Sequence, residues 1–214
     1  MNIAVLGTGV VGQTLGKKLV ALGHTVFMGS RDASHPNAVA WAAAAGPSAR
    51  HGTFAEAARG GEIIFNCTAG VASLEVLANA GHANLAEKVL VDVSNPLAFE
   101  KGKAPQVLVE AESVGERIQR AFPRTRVVKA LNTMNCNVMV DPGRVASGEH
   151  DLFLAGDDAT AKRAVEALLG TFGWRRFIDL GGIDAARAME AYVELWIRLR
   201  LTLGTSDFQV AVVR

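Results

Sequence analysis

Gly7, Gly9 and Gly12 stand at the spacing G-x-G-x-x-G. They follow an apolar run, Asn2–Leu6, and open a stretch where Val11, Leu15, Leu19 and Leu22 recur at helical spacing, with Gly23 as a C-terminal cap. The first glycine permits a tight turn. The second lets backbone approach a pyrophosphate, and the third lets helix and strand pack closely. A helix opening there offers free N–H groups and its positive dipole end to phosphates. The pattern predicts a dinucleotide site.

The next apolar run ends in Gly29, Ser30, Arg31 and Asp32. A carboxylate at that point would hold the ribose hydroxyls of NAD. A 2′-phosphate would be repelled by it and would pair with an arginine. Ser30 and Arg31 therefore predict NADP(H), Arg31 by a bidentate, charge-assisted contact. Asp32 lies past the strand end, where it is expected to face solvent or cap the next turn.

Further along, small polar residues gather in "FNCTAG" (Phe65–Gly70), "VDVSNPLAF" (Val91–Phe99) and "KALNTMNCN" (Lys129–Asn137). Each follows or ends a candidate strand, and ligands of doubly wound sheets cross the carboxyl ends of strands. Thr68 and Ala69 would line the ribose and pyrophosphate. Asn95 and Pro96 would bound the nicotinamide. Asn132, Thr133, Met134 and Asn135 would form the opposite wall, on the side of the second substrate. Turn-making is the competing role for each asparagine.

No acid–base constellation is evident. His24, His35, His51, His82 and His150 are scattered. Lys129 and Asn132 invite reading as a catalytic pair, but Lys129 falls inside a strand, which favours a structural role. No G-x-S-x-G, H-E-x-x-H or P-loop is present. Such a site positions two redox partners, and hydride transfer between cofactors asks mainly for orientation and exclusion of water.

The elements that must carry these groups are legible. Strands are expected at Asn2–Leu6, Thr25–Met28, Ile63–Cys67, Val89–Val93, Arg126–Ala130, Leu152–Leu154 and Phe177–Asp179. They are continuously apolar, as a parallel sheet covered on both faces requires. Helices fall between them. Ser113 and Glu116 have capping-box spacing ahead of Ile118 and Phe122. Asp157 and Asp158 sit at N-cap positions before Val165, Leu168, Leu169 and Phe172. A last helix is expected from about Asp184 to Leu203, with Met189, Val193, Trp196, Leu199 and Leu203 on one face and Arg187, Glu190, Glu194 and Arg198 on a solvated one. Core packing and a subunit contact are both open to its apolar side. The alternation predicts an α/β, Rossmann-like, doubly wound and mainly parallel sheet, with a small C-terminal α/β extension ending in a long helix. A boundary is expected near the turn-rich Asp141–His150, giving a dinucleotide-binding part, 1–145, and a small segment, 146–214, packed on it.

Of 214 residues, 50% are hydrophobic and 20% charged, with a net charge of +1, so a buried core is possible and neither a nucleic acid nor a membrane is an expected partner. Cys67 and Cys136 lack neighbours at metal-ligand spacing, and no metal is expected. Those cysteines and the lack of a long apolar span lead to a cytoplasmic expectation.

The stretches "GTGVVGQTLGKKLVALGHTVFMGSRD", "VLVDVSNPL", "VVKALNTM", "FLAGDDATAKRAVEALL" and "IDLGGI" together resemble the deazaflavin (coenzyme F420)-dependent NADP oxidoreductases and related bacterial NADP-binding reductases. The resemblance spans nearly the whole chain. It implies a homodimeric enzyme that moves hydride between NADP(H) and a small-molecule redox acceptor, coenzyme F420. It implies that Thr8, Gly9, Val10 and Val11 hold the pyrophosphate and that Ser30 and Arg31 hold the 2′-phosphate. It places the nicotinamide near Thr68, Ala69, Asn95, Pro96 and Cys136, and the deazaflavin near Asn132 and Met134. Archaeal members tend to carry a His and a Pro where this chain reads "LNTMNCN". The reductase domain of membrane metalloreductases is similar too and passes electrons to a flavin. A flavin, a ferric chelate or a small carbonyl or imine is the alternative acceptor. An NADPH-binding sensor without turnover is the alternative outside enzymology.

Overall fold

The computed structural model describes residues 1–108 and 111–213. In chain order the elements are β1 (Asn2–Leu6), α1 (Val10–Ala21), β2 (Thr25–Ser30), α2 (Pro36–Ala45), β3 (Ala49–Thr53), α3 (Phe54–Gly60) and β4 (Ile63–Asn66). Then come α4 (Ser73–Ala80), α5 (His82–Leu85), β5 (Val89–Asp92), β6 (Leu97–Ala98), β7 (Gln106–Val107), α6 (Val114–Ala121) and β8 (Arg126–Ala130). The last are α7 (Cys136–Val140), β9 (Leu152–Ala155), α8 (Ala159–Gly170), β10 (Phe177–Asp179) and α9 (Ala186–Leu203).

Eight strands form one sheet in the order β10-β9-β8-β5-β4-β1-β2-β3. Neighbours run parallel except β8 and β9. The chain winds outward from β1 to β3, then returns to lay β4, β5 and β8 on the other side. The switch point therefore lies between β1 and β4, where such sheets open a crevice for ligands. Strand residues alternate between two cores, which is why the runs read as continuously apolar. Ile3, Val5, Phe65, Val91 and Val128 meet Leu15, Leu19, Trp41 and Val165 on one face. Ala4, Leu6, Ile64, Leu90 and Val127 meet Phe54, Leu77, Leu85 and Ile118 on the other.

Several local expectations are met. Ser113 and Glu116 form a reciprocal capping box at α6. Asp158 caps α8 through the Thr160 and Ala161 N–H groups. Asp157 does not cap; it accepts from Ile183 N at 2.9 Å. Three differences matter. β2 runs on through Gly29 and Ser30, which puts Arg31 directly at its end. β3 was not expected, because "ARHGT" lacks an apolar run; as an edge strand it buries only Gly52, and its polar side chains face out. Glu190 is buried at 4% exposure rather than solvated. The regular part of α9 begins at Ala186, after a 3₁₀ turn at Ile183–Ala185. No helix among the described residues is long and apolar enough to cross a membrane.

Candidate active site

The glycine loop joins β1 to α1 at the switch point. Gly7 has φ +119°, in the region that favours glycine, and its N–H bonds to Gly29 O at 3.1 Å. A Cβ on Gly7 would come within 2.8 Å of Cys67 O, and one on Gly12 within 2.1 Å of Gly7 O. Nothing lies within 4 Å of the corresponding point on Gly9, so that backbone is open to an approaching group. Gly9 caps α1 with no side-chain hydrogen bond, leaving the first-turn N–H groups without a side-chain acceptor. Gln13 Nε2 donates to Thr8 O at 2.8 Å and braces the loop. Val10 is exposed and Val11 half-buried at the mouth.

At the end of β2 the structure separates the neighbours. Ser30 is buried, and its hydroxyl lies 2.6 Å from Asp32 O and 3.1 Å from Gly52 O, so it shapes the turn. Arg31 is exposed, and no carboxylate among the described residues pairs with it. The Asp32 carboxylate accepts from Ser34 N and Ser34 Oγ, both at 2.8 Å, which holds its pKa below the usual range. The anion is engaged in its own turn while the cation is free, and that arrangement suits a 2′-phosphate.

The three strand ends are bonded together. Thr68, half-buried, donates from Oγ1 to Asn66 Oδ1 at 2.7 Å. Ala69 is exposed, and Gly70 N donates to Asn95 O at 3.0 Å. A Cβ on Gly70 would meet Asn95 O at 2.5 Å and Pro96 N at 2.8 Å, so only glycine allows this approach. Asn95 and Asn132 exchange amide hydrogen bonds: Asn95 Nδ2 to Asn132 O at 2.8 Å, and Asn132 Nδ2 to Asn95 Oδ1 at 2.9 Å. Leu131 bends the chain out of β8 with φ +65°, a conformation leucine rarely adopts, and full burial holds it there.

The other predicted residues are placed less directly. Met134 is buried, with Gln209 Nε2 3.7 Å from its sulfur. Asn135 caps α7 through Asn137 N at 2.8 Å, the turn-making role. Cys136 packs on α1, with Thr14 Oγ1 3.9 Å from its Sγ. Burial, and then the Asp92 carboxylate, push the Cys67 thiol up, so it stays protonated.

The sequence also hid a charged network beneath these ends. Lys129 on β8 is fully buried and bonds to Asp92 on β5 at 2.8 Å and Glu190 on α9 at 2.7 Å. Burial alone would lower the Lys129 pKa; the two carboxylates outweigh that and hold it raised. Asp92 also accepts from Asn66 Nδ2 at 2.9 Å, which links the network to Thr68. The available signal was an acid and a base inside apolar runs, "VLVDV" and "RVVKAL", each needing a buried partner. Glu190 gave none, because a helix face with charges on both sides reads as solvated.

A nicotinamide dinucleotide fits what is left open. Gly9 offers free space, and among the described residues Arg31 has no carboxylate partner and the buried Asn132 Oδ1 and Thr133 Oγ1 have no hydrogen-bond partner. A groove of about 800 Å³ bounded by Glu87, Arg124, Arg126 and Asp158 lies at the opposite, amino ends of β5 and β8.

A doubly wound sheet, a glycine loop at its switch point and an unpaired arginine after β2 define an NADP-binding protein of the Rossmann class. Comparison with known proteins narrows the class. Residues 2–96 match the family described as NADP oxidoreductase, coenzyme F420-dependent. The chain is 30% identical over 212 residues to the F420-dependent NADP reductase of Methanothermobacter marburgensis, across 94% of this chain and 93% of that one. A crystal structure of a candidate F420-dependent NADP-reductase from Arthrobacter sp. FB24 superposes with TM-score 0.92 at 45% identity, covering 99% of both chains. Metalloreductase STEAP3 of Rattus norvegicus is 31% identical over 193 residues, but the chain spans only 36% of its length. The chain belongs to the coenzyme F420-dependent NADP oxidoreductase family and is an NADP-dependent oxidoreductase.

Proposed function

We propose that the chain transfers hydride between NADP(H) and the deazaflavin coenzyme F420. Bound NADPH supplies the hydride, and the protein supplies position. Gly7, Gly9 and Gly12 with the α1 N-terminus hold the pyrophosphate, and Arg31 holds the 2′-phosphate. Thr68, Asn95 and Asn132 fix the nicotinamide face, and Asn132 Oδ1 awaits a donor such as a carboxamide. The carrying observation is that the three strand ends are hydrogen-bonded into one wall whose ionisable groups, Asp92 and Lys129, are fully buried. Such a wall orients two flat partners for hydride transfer and offers no free acid or base, so the one proton that accompanies the hydride onto the acceptor is drawn from solvent. The end-to-end match to the Methanothermobacter reductase supports the deazaflavin as acceptor. A flavin or ferric acceptor is the second reading, and the STEAP3 match favours it. A homodimer completes the proposal.

The deciding experiment follows NADPH absorbance with coenzyme F420, FMN, FAD, ferric chelates and a cyclic imine. Turnover with F420 at least ~10-fold faster than with any other acceptor is expected. F420 left inert while another acceptor is reduced moves the function to that acceptor. NADPH bound tightly and oxidised by none of them makes the chain a sensor.

A further inference from the structure

The charge of the buried network has a definite sign. Lys129 Nζ donates to Asp92 Oδ2, to Ser94 O at 2.6 Å and to Glu190 Oε1, which uses its three protons. Asp92 Oδ1 accepts from Asn66 Nδ2, Ser94 N and Ser94 Oγ. Glu190 accepts from Val114 N at 2.9 Å and Gly115 N at 3.2 Å. Glu190 meets only N–H donors, and Asp92 meets N–H donors and one hydroxyl, Ser94 Oγ, so the bonding pattern suits the carboxylate form of both. Two anions and one cation leave one negative charge. The neighbouring pairs Arg187–Glu116 and Arg120–Glu112 are each neutral. The α6 N-terminus offsets part of the charge on Glu190. Toward the strand ends, a single amide, Asn66, separates Asp92 from Thr68.

We propose that the net negative charge of the Lys129–Asp92–Glu190 cluster tunes the bound cofactor, favouring oxidised over reduced nicotinamide. The inference rests on the NADP site described above. The oxidised ring is a cation and the reduced ring is neutral, so a fixed anion in a water-poor setting attracts only the first. The cluster thereby makes NADPH the better hydride donor, without touching the ring. One unit charge acting across a residue or two at an effective dielectric near 20 is worth ~10-fold in relative affinity.

The test is the ratio of dissociation constants, Kd(NADP⁺)/Kd(NADPH), measured by calorimetry without any acceptor. Glu190→Gln brings the cluster to zero charge, and the ratio should rise ~10-fold. Lys129→Met with Glu190→Gln breaks more hydrogen bonds yet restores one negative charge, and the ratio should return to within ~3-fold of wild type. Asp92→Asn makes the same charge change from β5, so loss of fold in one variant leaves the other to decide. A purely structural cluster predicts that both cofactor forms weaken together, most in the double variant, with a constant ratio; that result overturns the inference. Wild type binding neither form would overturn the NADP site itself and this inference with it.

Discussion

Arg31 is the residue on which cofactor choice turns. It stands at the end of β2, exposed and without a carboxylate partner among the described residues, while Asp32 is held by Ser34. A guanidinium on a phosphate makes a charge-assisted contact that NADH does not offer. Arg31→Ala is expected to weaken NADPH roughly 10- to 100-fold and to leave NADH within ~3-fold of wild type. Fluorescence titration of both cofactors measures this. Equal weakening of the two, or tighter NADH binding by wild type, would place the phosphate elsewhere. Ser30 shows the limit of inference from residue type. Its hydroxyl has the chemistry of a phosphate donor, yet the fold buries it against Asp32 O and Gly52 O.

At the scale of elements, the strands that carry the site were legible because parallel, doubly covered strands are apolar throughout. β3 was not, since an edge strand can be polar, and β6 and β7 are too short to leave a pattern. The three strand-end clusters were visible as runs of small polar residues. Their mutual bonding was not, because Asn95 and Asn132 are 37 positions apart and only the winding order makes them neighbours. The join between α6 and α9 belongs here too. Glu116, in the capping box of α6, is held by Arg187 of α9 first and by Ser113 next, and its pKa falls from 4.5 to about 2. A carboxyl depressed on folding adds stability above about 4.5, and that contribution is lost as pH falls toward about 2. Arg187→Ala should therefore lower the melting temperature at neutral pH, and the deficit should shrink steadily as pH approaches about 2. Melting curves over that range measure it. A deficit constant with pH would mean that Arg187 acts through packing alone.

For the whole molecule the open matter is what α9 does with its outer side. The helix buries Ala186, Met189, Glu190, Val193 and Ile197 against the body of the protein. The broad apolar face expected from sequence is divided: Met189 and Val193 turn inward, whereas Leu203 is 56% exposed and Leu199 half-buried. On the side opposite the buried one, Ala188, Ala191, Leu195, Leu199 and Leu203 follow one another at helical spacing, and Leu195 is 54% exposed. Beside them, Trp196 stacks on Phe208, and Trp196 Nε1 and Tyr192 Oη are buried without a hydrogen-bond partner among the described residues. Apolar side chains facing water are covered if a second copy packs there, and a two-fold contact repeats the gain. We therefore expect a dimer through α9. Exchanging Leu195 and Leu203 for Glu removes two apolar anchors per protomer, each worth ~2 kcal/mol when buried, and sets like charges across the axis. Leu195→Glu with Leu203→Glu should convert the dimer to a monomer at micromolar concentration in sedimentation velocity, with the far-UV spectrum unchanged. NADPH affinity should stay within ~3-fold, because the glycine loop and Arg31 lie on other elements. Wild type sedimenting as a monomer, or a variant still dimeric, would remove α9 from the interface and leave its leucines facing water.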